Sequence, residues 1–234
     1  KYSMETVRKN VFVTNNENSK EIIFALPFDE TYVTDWNAFD FHMYSLQPEN
    51  QATYNFKATP WGGACVLPQY IESFDPDDQR LKDDFISGPQ YDKNGGVLYC
   101  TMGNMKGKPL DYVNKVNSID DSDENQGWRW GKFEYAEGIT NRLSNDFPLL
   151  RYADVYLMKA EALLRTGHAD EAAELVTKVR ERNFTEHPAK AIVTGEQLQE
   201  TSCYDYGRRD NVKSTHDQAI IQYEIGRASC RERV

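Results

Sequence analysis

The densest group of side chains able to do chemistry is Phe74-Asp-Pro-Asp-Asp-Gln-Arg80, where Asp75, Asp77 and Asp78 precede one arginine. Hydrolysis of a glycosidic bond needs two flanking carboxyl groups, one of them with a raised pKa. Asp77 or Asp78 beside Arg80 supplies the residue types, but a chain with 37 acidic side chains offers many such pairs. Nothing completes a catalytic set. No GxSxG, HExxH or phosphate-loop pattern occurs, and His42, His168, His187 and His216 lack metal-ligand spacing. The cysteines, Cys65, Cys100, Cys203 and Cys230, form no CxxC pair, which argues against a zinc site or a thioredoxin-type motif. Cys65 and Cys100 pair only if their Cα atoms approach, and buried free thiols are the favoured reading. Asp154 and Glu161 fall on one side of a predicted helix, where ion pairing with Arg151 or Arg180 explains them better than ligand binding. The expectation is a protein without catalysis, cofactor or bound metal.

Charge narrows the partners. The 234 residues hold 27 Lys and Arg against 37 Asp and Glu, a formal charge of −10, with no basic patch. Such a chain is poorly suited to nucleic acid or an anionic membrane surface. The last ten residues, Ile225–Val234, share no pattern with those before them. They resemble one reading frame of a short-read sequencing adapter, and they are set aside as a non-native tail; the alternative is a basic C-terminal helix. No signal peptide and no apolar run of membrane-spanning length is present, and Lys1 is not a natural start.

The elements that must position these residues centre on Phe147–Phe184, which predicts two helices joined by a tight turn. Leu149, Tyr152, Ala153, Tyr156, Ala160, Leu163 and Leu164 recur at steps of three and four, giving one apolar face. Asp146 stands as the expected N-cap, Pro148 sits in the first turn, and Gly167 supplies a left-handed C-cap. In the second helix Ala172, Leu175, Val176 and Val179 face inward, while Glu171, Glu174, Lys178 and Arg182 face water. The small residues of this pair suggest tetratricopeptide-like packing. Elsewhere Glu21–Leu26 predicts a strand or buried extended segment, and Phe28–Pro48 an irregular aromatic stretch. Leu67–Phe74 predicts one or two helical turns, while Val97–Cys100 and Leu110–Val116 suggest hairpin strands. The fold class expected is mostly α, with helix pairs, long ordered loops and a few short strands.

Arg151-Tyr-Ala-Asp-Val-Tyr-Leu-Met-Lys-Ala-Glu-Ala162, followed by Gly167 and a helix ending Val179-Arg-Glu-Arg182, resembles the signature helix pair of the SusD/RagB family. Three more stretches resemble that family in the expected order. They are Asn18–Ala25, Trp61-Gly-Gly with Phe74–Arg80, and Gly127-Trp-Arg-Trp-Gly-Lys-Phe-Glu134. The resemblance implies an internal fragment, residues 1–224, of a single SusD-like domain with 147–184 as its signature pair. It also implies a non-enzymatic, cell-surface lipoprotein of the outer membrane whose signal and lipid-bearing cysteine lie outside the fragment. Its membrane association would come only from that lipid anchor. Its ligand would be an oligo- or polysaccharide and its partner a SusC-like, TonB-dependent transporter.

By the same resemblance, surface aromatic rings on loops stack on sugars while Asn, Asp and Arg fix hydroxyls. The physics suits the task, because a pyranose offers an apolar C–H face to a ring and a polar rim to donors and acceptors. Trp36, with Tyr32 and Asn37, is the first candidate platform; Tyr54 and Trp61 follow, each set against a plain core role. Trp128 and Trp130 share a face if their segment is a strand, and at least one is expected to pack. Two rival functions remain. A tetratricopeptide-type scaffold for a protein partner predicts further helix pairs, and a glycoside hydrolase accessory domain predicts turnover.

Overall fold

A computed structural model describes residues 1–34, 37–118 and 121–200. In chain order its regular elements are β1 (Ile22–Leu26), α1 (Phe41–Ser45), α2 (Gln51–Tyr54), α3 (Pro68–Glu72) and α4 (Arg80–Asp83). Then come β2 (Phe85–Ile86), β3 (Gly88–Pro89), β4 (Asp111–Tyr112), β5 (Arg129–Trp130) and β6 (Phe147–Arg151). The chain continues through α5 (Tyr152–Arg165), α6 (Ala169–Arg180) and α7 (Gly195–Gln199). The strands pair antiparallel as β1–β6, β2–β5 and β3–β4.

The helix pair is real, but its start is displaced. Phe147–Arg151 is a strand hydrogen-bonded to Ile22–Leu26, and the helix begins only at Tyr152. Periodicity cannot separate these cases, since Leu149 and Tyr152 fit a helical step while the strand partner is over a hundred residues away. Arg151, extended at φ −119° and ψ 159°, is the N-cap in place of Asp146, and its N–H donates to Asp154 Oδ2 at 2.8 Å. Leu149 therefore sits outside the helix and is half exposed.

Gly167 closes α5 as expected. At φ +86° it lets its own N–H reach Leu164 O (3.2 Å) and the His168 N–H reach Leu163 O (2.9 Å), a Schellman motif. Ala153, Leu157, Ala160 and Leu164 then meet Ala172, Ala173, Val176 and Val179, with Leu198 of α7 closing the cluster. Each large aliphatic side chain buried there contributes roughly 1.5–3 kcal/mol. Arg182 departs from its expected water-facing place: it is buried in an ion pair with Glu21. The other described helices are four or five residues long, so a tetratricopeptide-like repeat is not established among the described residues. The predicted turns at Leu67–Phe74 become α3, whereas the aromatic stretch read as irregular contains α1.

Two further clusters carry the loops. Phe39, Leu46, Phe56, Tyr135, Ile139 and Leu143 form one; Val66, Ile71, Phe74 and Phe85 form the other, with Trp128 and Trp130 both packed on it. Cys65 and Cys100 are free thiols; Cys100 is buried and Cys65 only partly so. Gly127 holds the turn beside Cys65 at φ +76°, and a Cβ there would lie 2.5 Å from both Cys65 Cβ and Sγ. Gly127→Ala is expected to destabilise the protein by about 2 kcal/mol or more, combining left-handed strain with overpacking. Urea denaturation of the intact protein checks this, and a midpoint equal to wild type would show that the turn is not built this way.

Candidate functional site

The acidic motif divides into a buried ion pair and two carboxylates nearer the surface. Arg80 Nε donates to Asp78 Oδ1 (2.9 Å) and its second nitrogen to Oδ2 (2.6 Å), and both side chains are buried with the Arg80 guanidinium over the Phe74 ring. Asp77 instead faces Lys190 Nζ at 2.5 Å and His187 Nε2 at 3.6 Å. Asp78 is thus taken up in an internal ion pair, while Asp77 stays partly exposed in its pair with Lys190. Asp154 caps its own helix and lies 3.8 Å from the Arg151 guanidinium, one of the partners expected, whereas Glu161 accepts from Arg165 one turn on, at 2.7 Å. Among the described residues no group of three or more His, Cys, Asp and Glu side chains could hold a metal ion.

What the fold does present is aromatic surface. Trp61 is 50% exposed and Tyr44 49%, and their rings meet edge to face with centroids 4.7 Å apart. The backbone sets this pair. The Trp61 N–H donates to Met43 O (2.7 Å) and the Ala64 N–H to Tyr44 O (2.8 Å), so residues 43–44 and 61–64 run side by side. Gly62, at φ +75°, permits the approach, because a Cβ there would lie 2.6 Å from Gln47 Oε1. Pro60 is buried, while the Trp61 indole that follows it is half exposed.

Tyr32 is 85% exposed on a loop pinned by Asp29, whose Oδ1 accepts the N–H groups of Thr31 (2.8 Å) and Tyr32 (3.1 Å). Glu30 ties the same loop to Thr140, and Asn37 is exposed beyond it. Tyr54 lies elsewhere in character. Its ring stacks on Phe56 at 4.9 Å and 11°, touches Tyr135, and burial pushes its phenol up to about 12. Trp36 lies outside the described residues.

A second aromatic face escaped the sequence reading. Tyr91 bridges Val97 across an antiparallel pair, and Tyr99 bridges Pro109, so Tyr91, Val97 and Tyr99 are exposed together. Strict alternation in Val97-Leu-Tyr-Cys100 was the available signal, with Leu98 and Cys100 turned inward. Beside this face runs an open groove of about 610 Å³ between Pro48–Phe56 and Val97–Tyr99, with Glu49 on its wall. A smaller apolar cleft of about 240 Å³ lies among Phe39, Phe41, Trp130, Phe133 and Phe147. No described helix is long and apolar enough to cross a membrane.

The sequence model of the SusD family matches residues 20–202. No curated protein matches the chain. Solved structures do. A SusD superfamily protein from Bacteroides vulgatus ATCC 8482 superposes with a TM-score of 0.54 at 20% identity, over 90% of this chain and 43% of that one. NanU from B. fragilis gives 0.53 at 17% identity, over 89% and 41%. Surface glycan-binding protein A from Bacteroides thetaiotaomicron, in complex with laminarihexaose, gives 0.54 at 17% identity, over 81% and 43%. At these identities the likeness is one of fold, and the fold is SusD-like. The chain spans about two fifths of the length of the solved structures it matches, from 36% to 43%.

Proposed function

The chain belongs to the SusD family, and from that premise we propose that it is a non-enzymatic component that binds glycan at the cell surface. The observation that carries the proposal is the exposed Tyr44–Trp61 corner, a rigid aromatic edge held by backbone hydrogen bonds and left uncovered by the described residues. Exposing a tryptophan this far forgoes burial of a large apolar ring, and stacking on the C–H face of a sugar restores it. Tyr32 and Asn37, exposed on and beyond the loop anchored by Asp29, are further candidates, and Trp36, which precedes Asn37 in sequence, is proposed with them. Tyr54, with one ring face already covered by Phe56, acts by packing. The laminarihexaose complex of a structural relative supports the ligand class without naming this chain's own glycan.

On the family resemblance, residues 1–224 form part of one SusD-like domain, anchored by lipid at the outer membrane and handing its glycan to a TonB-dependent transporter. The signature pair α5–α6 would then be one unit of a tetratricopeptide-like helical side. A protein-interaction scaffold is the weaker alternative, because the described helices outside α5 and α6 are short.

The test uses the intact protein in affinity gels and a panel of soluble neutral hexasaccharides, laminarihexaose among them, with reducing-sugar release assayed on every hit. Trp61→Ala is expected to weaken binding roughly tenfold or more, the loss of about 1.4 kcal/mol or more of stacking. Trp36→Ala is run beside it, and Tyr54→Ala is expected to lower stability before affinity. Release of sugar would overturn the non-enzymatic assignment, and unchanged affinity in Trp61→Ala would return that corner to a structural role.

A further inference from the structure

Apart from the Tyr44–Trp61 corner, the fold builds a second opening, the 610 Å³ groove between Pro48–Phe56 and Val97–Tyr99. Neither Tyr44 nor Trp61 lines it. Its two walls are tied together at both ends. At one end the Lys93 N–H donates to Ala52 O (3.0 Å) and the Thr53 hydroxyl to Tyr91 O (2.8 Å). At the other the Thr101 hydroxyl donates to Glu49 Oε1 (2.5 Å), and its N–H donates to Glu124 Oε2 (3.0 Å). A groove held in this way is formed before any ligand arrives. We propose that it is a second sugar-contact site, taking a segment of neutral glycan with Tyr99 as the stacking ring. This rests on the glycan reading above and adds a site to it.

The lining carries the groups a pyranose needs. Tyr99 is 53% exposed and Val97 43%, on the outward face of an alternating strand whose Leu98 and Cys100 turn into the core. Three segments hold that strand through a closed ring of main-chain bonds. The Leu98 N–H donates to Gln90 O (3.0 Å), the Gln90 N–H to Leu110 O (2.8 Å) and the Leu110 N–H to Leu98 O (2.8 Å). The Tyr99 ring therefore stands on a rigid support, as a platform for a sugar C–H face must. On the facing wall Gln51 Nε2 donates to Phe56 O (3.1 Å), and Gln51 Oε1 accepts the Thr59 hydroxyl (2.7 Å). A primary amide has two N–H groups and two lone pairs, so one of each remains for a sugar hydroxyl. Asn55, exposed at φ +52°, brings a second amide to the rim, and buried Phe56 supplies an apolar floor.

Charge sets the ligand class. Glu49 is the one carboxylate among the lining residues, and none of them is basic. Glu124 adds a second acid behind the Thr101 tie, in a chain of formal charge −10. A sugar acid would bring its own carboxylate beside these with no lining cation to pair it, and like charges brought together are costly. A neutral hydroxyl meets no such cost.

Equilibrium dialysis of the intact protein against the neutral hexasaccharide panel, laminarihexaose included, counts the sites. Wild type is expected to bind two hexasaccharides per chain, the groove more weakly because it offers one ring where the corner offers two. Tyr99→Ala, at a half-exposed position, should bind one, with the tighter site unchanged. Trp61→Ala should keep only the weaker site. Ala52→Trp fills the groove from an exposed position in α2 and should also bind one, which covers a Tyr99→Ala protein that does not fold. A hexamer of galacturonic acid should not occupy the groove. One hexasaccharide per wild-type chain, two per chain in the groove variants, or binding of the sugar-acid hexamer that Tyr99→Ala abolishes would each overturn the proposal. The first two outcomes leave the glycan reading standing, whereas a wild type that binds no hexasaccharide sinks both.

Discussion

Replacing Glu21 with alanine should destabilise this protein by about 3–5 kcal/mol, the largest single effect we expect. Glu21 is fully buried at the start of β1 and accepts from three parts of the chain. Arg182, just past α6, reaches Oε2 at 2.5 Å and Oε1 at 3.1 Å. Arg151, at the β6–α5 junction, reaches Oε1 at 3.4 Å, and the Glu5 N–H donates to Oε2 at 2.8 Å. Alanine would take this carboxylate from Arg182 and leave Arg151 with its looser contact to Asp154 at 3.8 Å, which costs far more than the bridge itself gains. With whole-domain stabilities of roughly 5–15 kcal/mol, much of the folded population is at stake. Glu21→Gln keeps the acceptor oxygen and should lose less. Combining Glu21→Ala with Arg182→Ala should cost less than the two singly, since one stranded charge is removed. Denaturant midpoints on the intact protein measure all four, Arg182→Ala included, and a loss under about 1 kcal/mol for Glu21→Ala would mean that water reaches the cluster.

The second large effect is a loss of stability in acid, traced to His42. Its ring is fully buried against Phe56 (5.3 Å) and Tyr135 (5.6 Å), and Nε2 faces Thr140 O at 3.3 Å, so that nitrogen donates. Burial pulls its pKa from 6.5 down to about 4, the Thr140 contact opposing this only in part. Between these values the unfolded chain takes up a proton that the folded protein refuses. Stability is then unaffected by this group above pH 6.5 and falls as the pH drops toward 4, by about 3 kcal/mol in all. His42→Phe preserves the ring contacts, forgoes the bond to Thr140 and should lose that slope while starting from a lower neutral-pH stability. Melting temperatures measured from pH 4 to 7 decide it, and parallel curves for the two proteins would remove His42 as the cause.

Local features carried well from residues to structure. Gly167 behaves as its position between two apolar repeats demands, and Val176 and Val179 point where their spacing puts them. The turns at Pro68 and the Asp78–Arg80 pair were legible for the same reason, since the partners lie within a few residues. The displaced helix start was not, because Phe147–Arg151 becomes a strand only by pairing with Ile22–Leu26. Arg182 looked solvent-facing on a helical wheel, and only Glu21, far away in sequence, draws it inside. The aromatic residues show the same limit. Tyr54 and Trp61 are alike as loop aromatics, yet one ring is stacked on Phe56 and the other stands half in water.

The sequence by itself determined the family, the signature helix pair and the acidic character that disfavours nucleic acid. Composition, period and ordered short motifs survive without coordinates. Tertiary structure decided which aromatic rings reach solvent, which carboxylates are spent on buried arginines, and that Glu49 and Glu124 both reach Thr101. Each of those depends on contacts between segments tens of residues apart, whose closure no local period records.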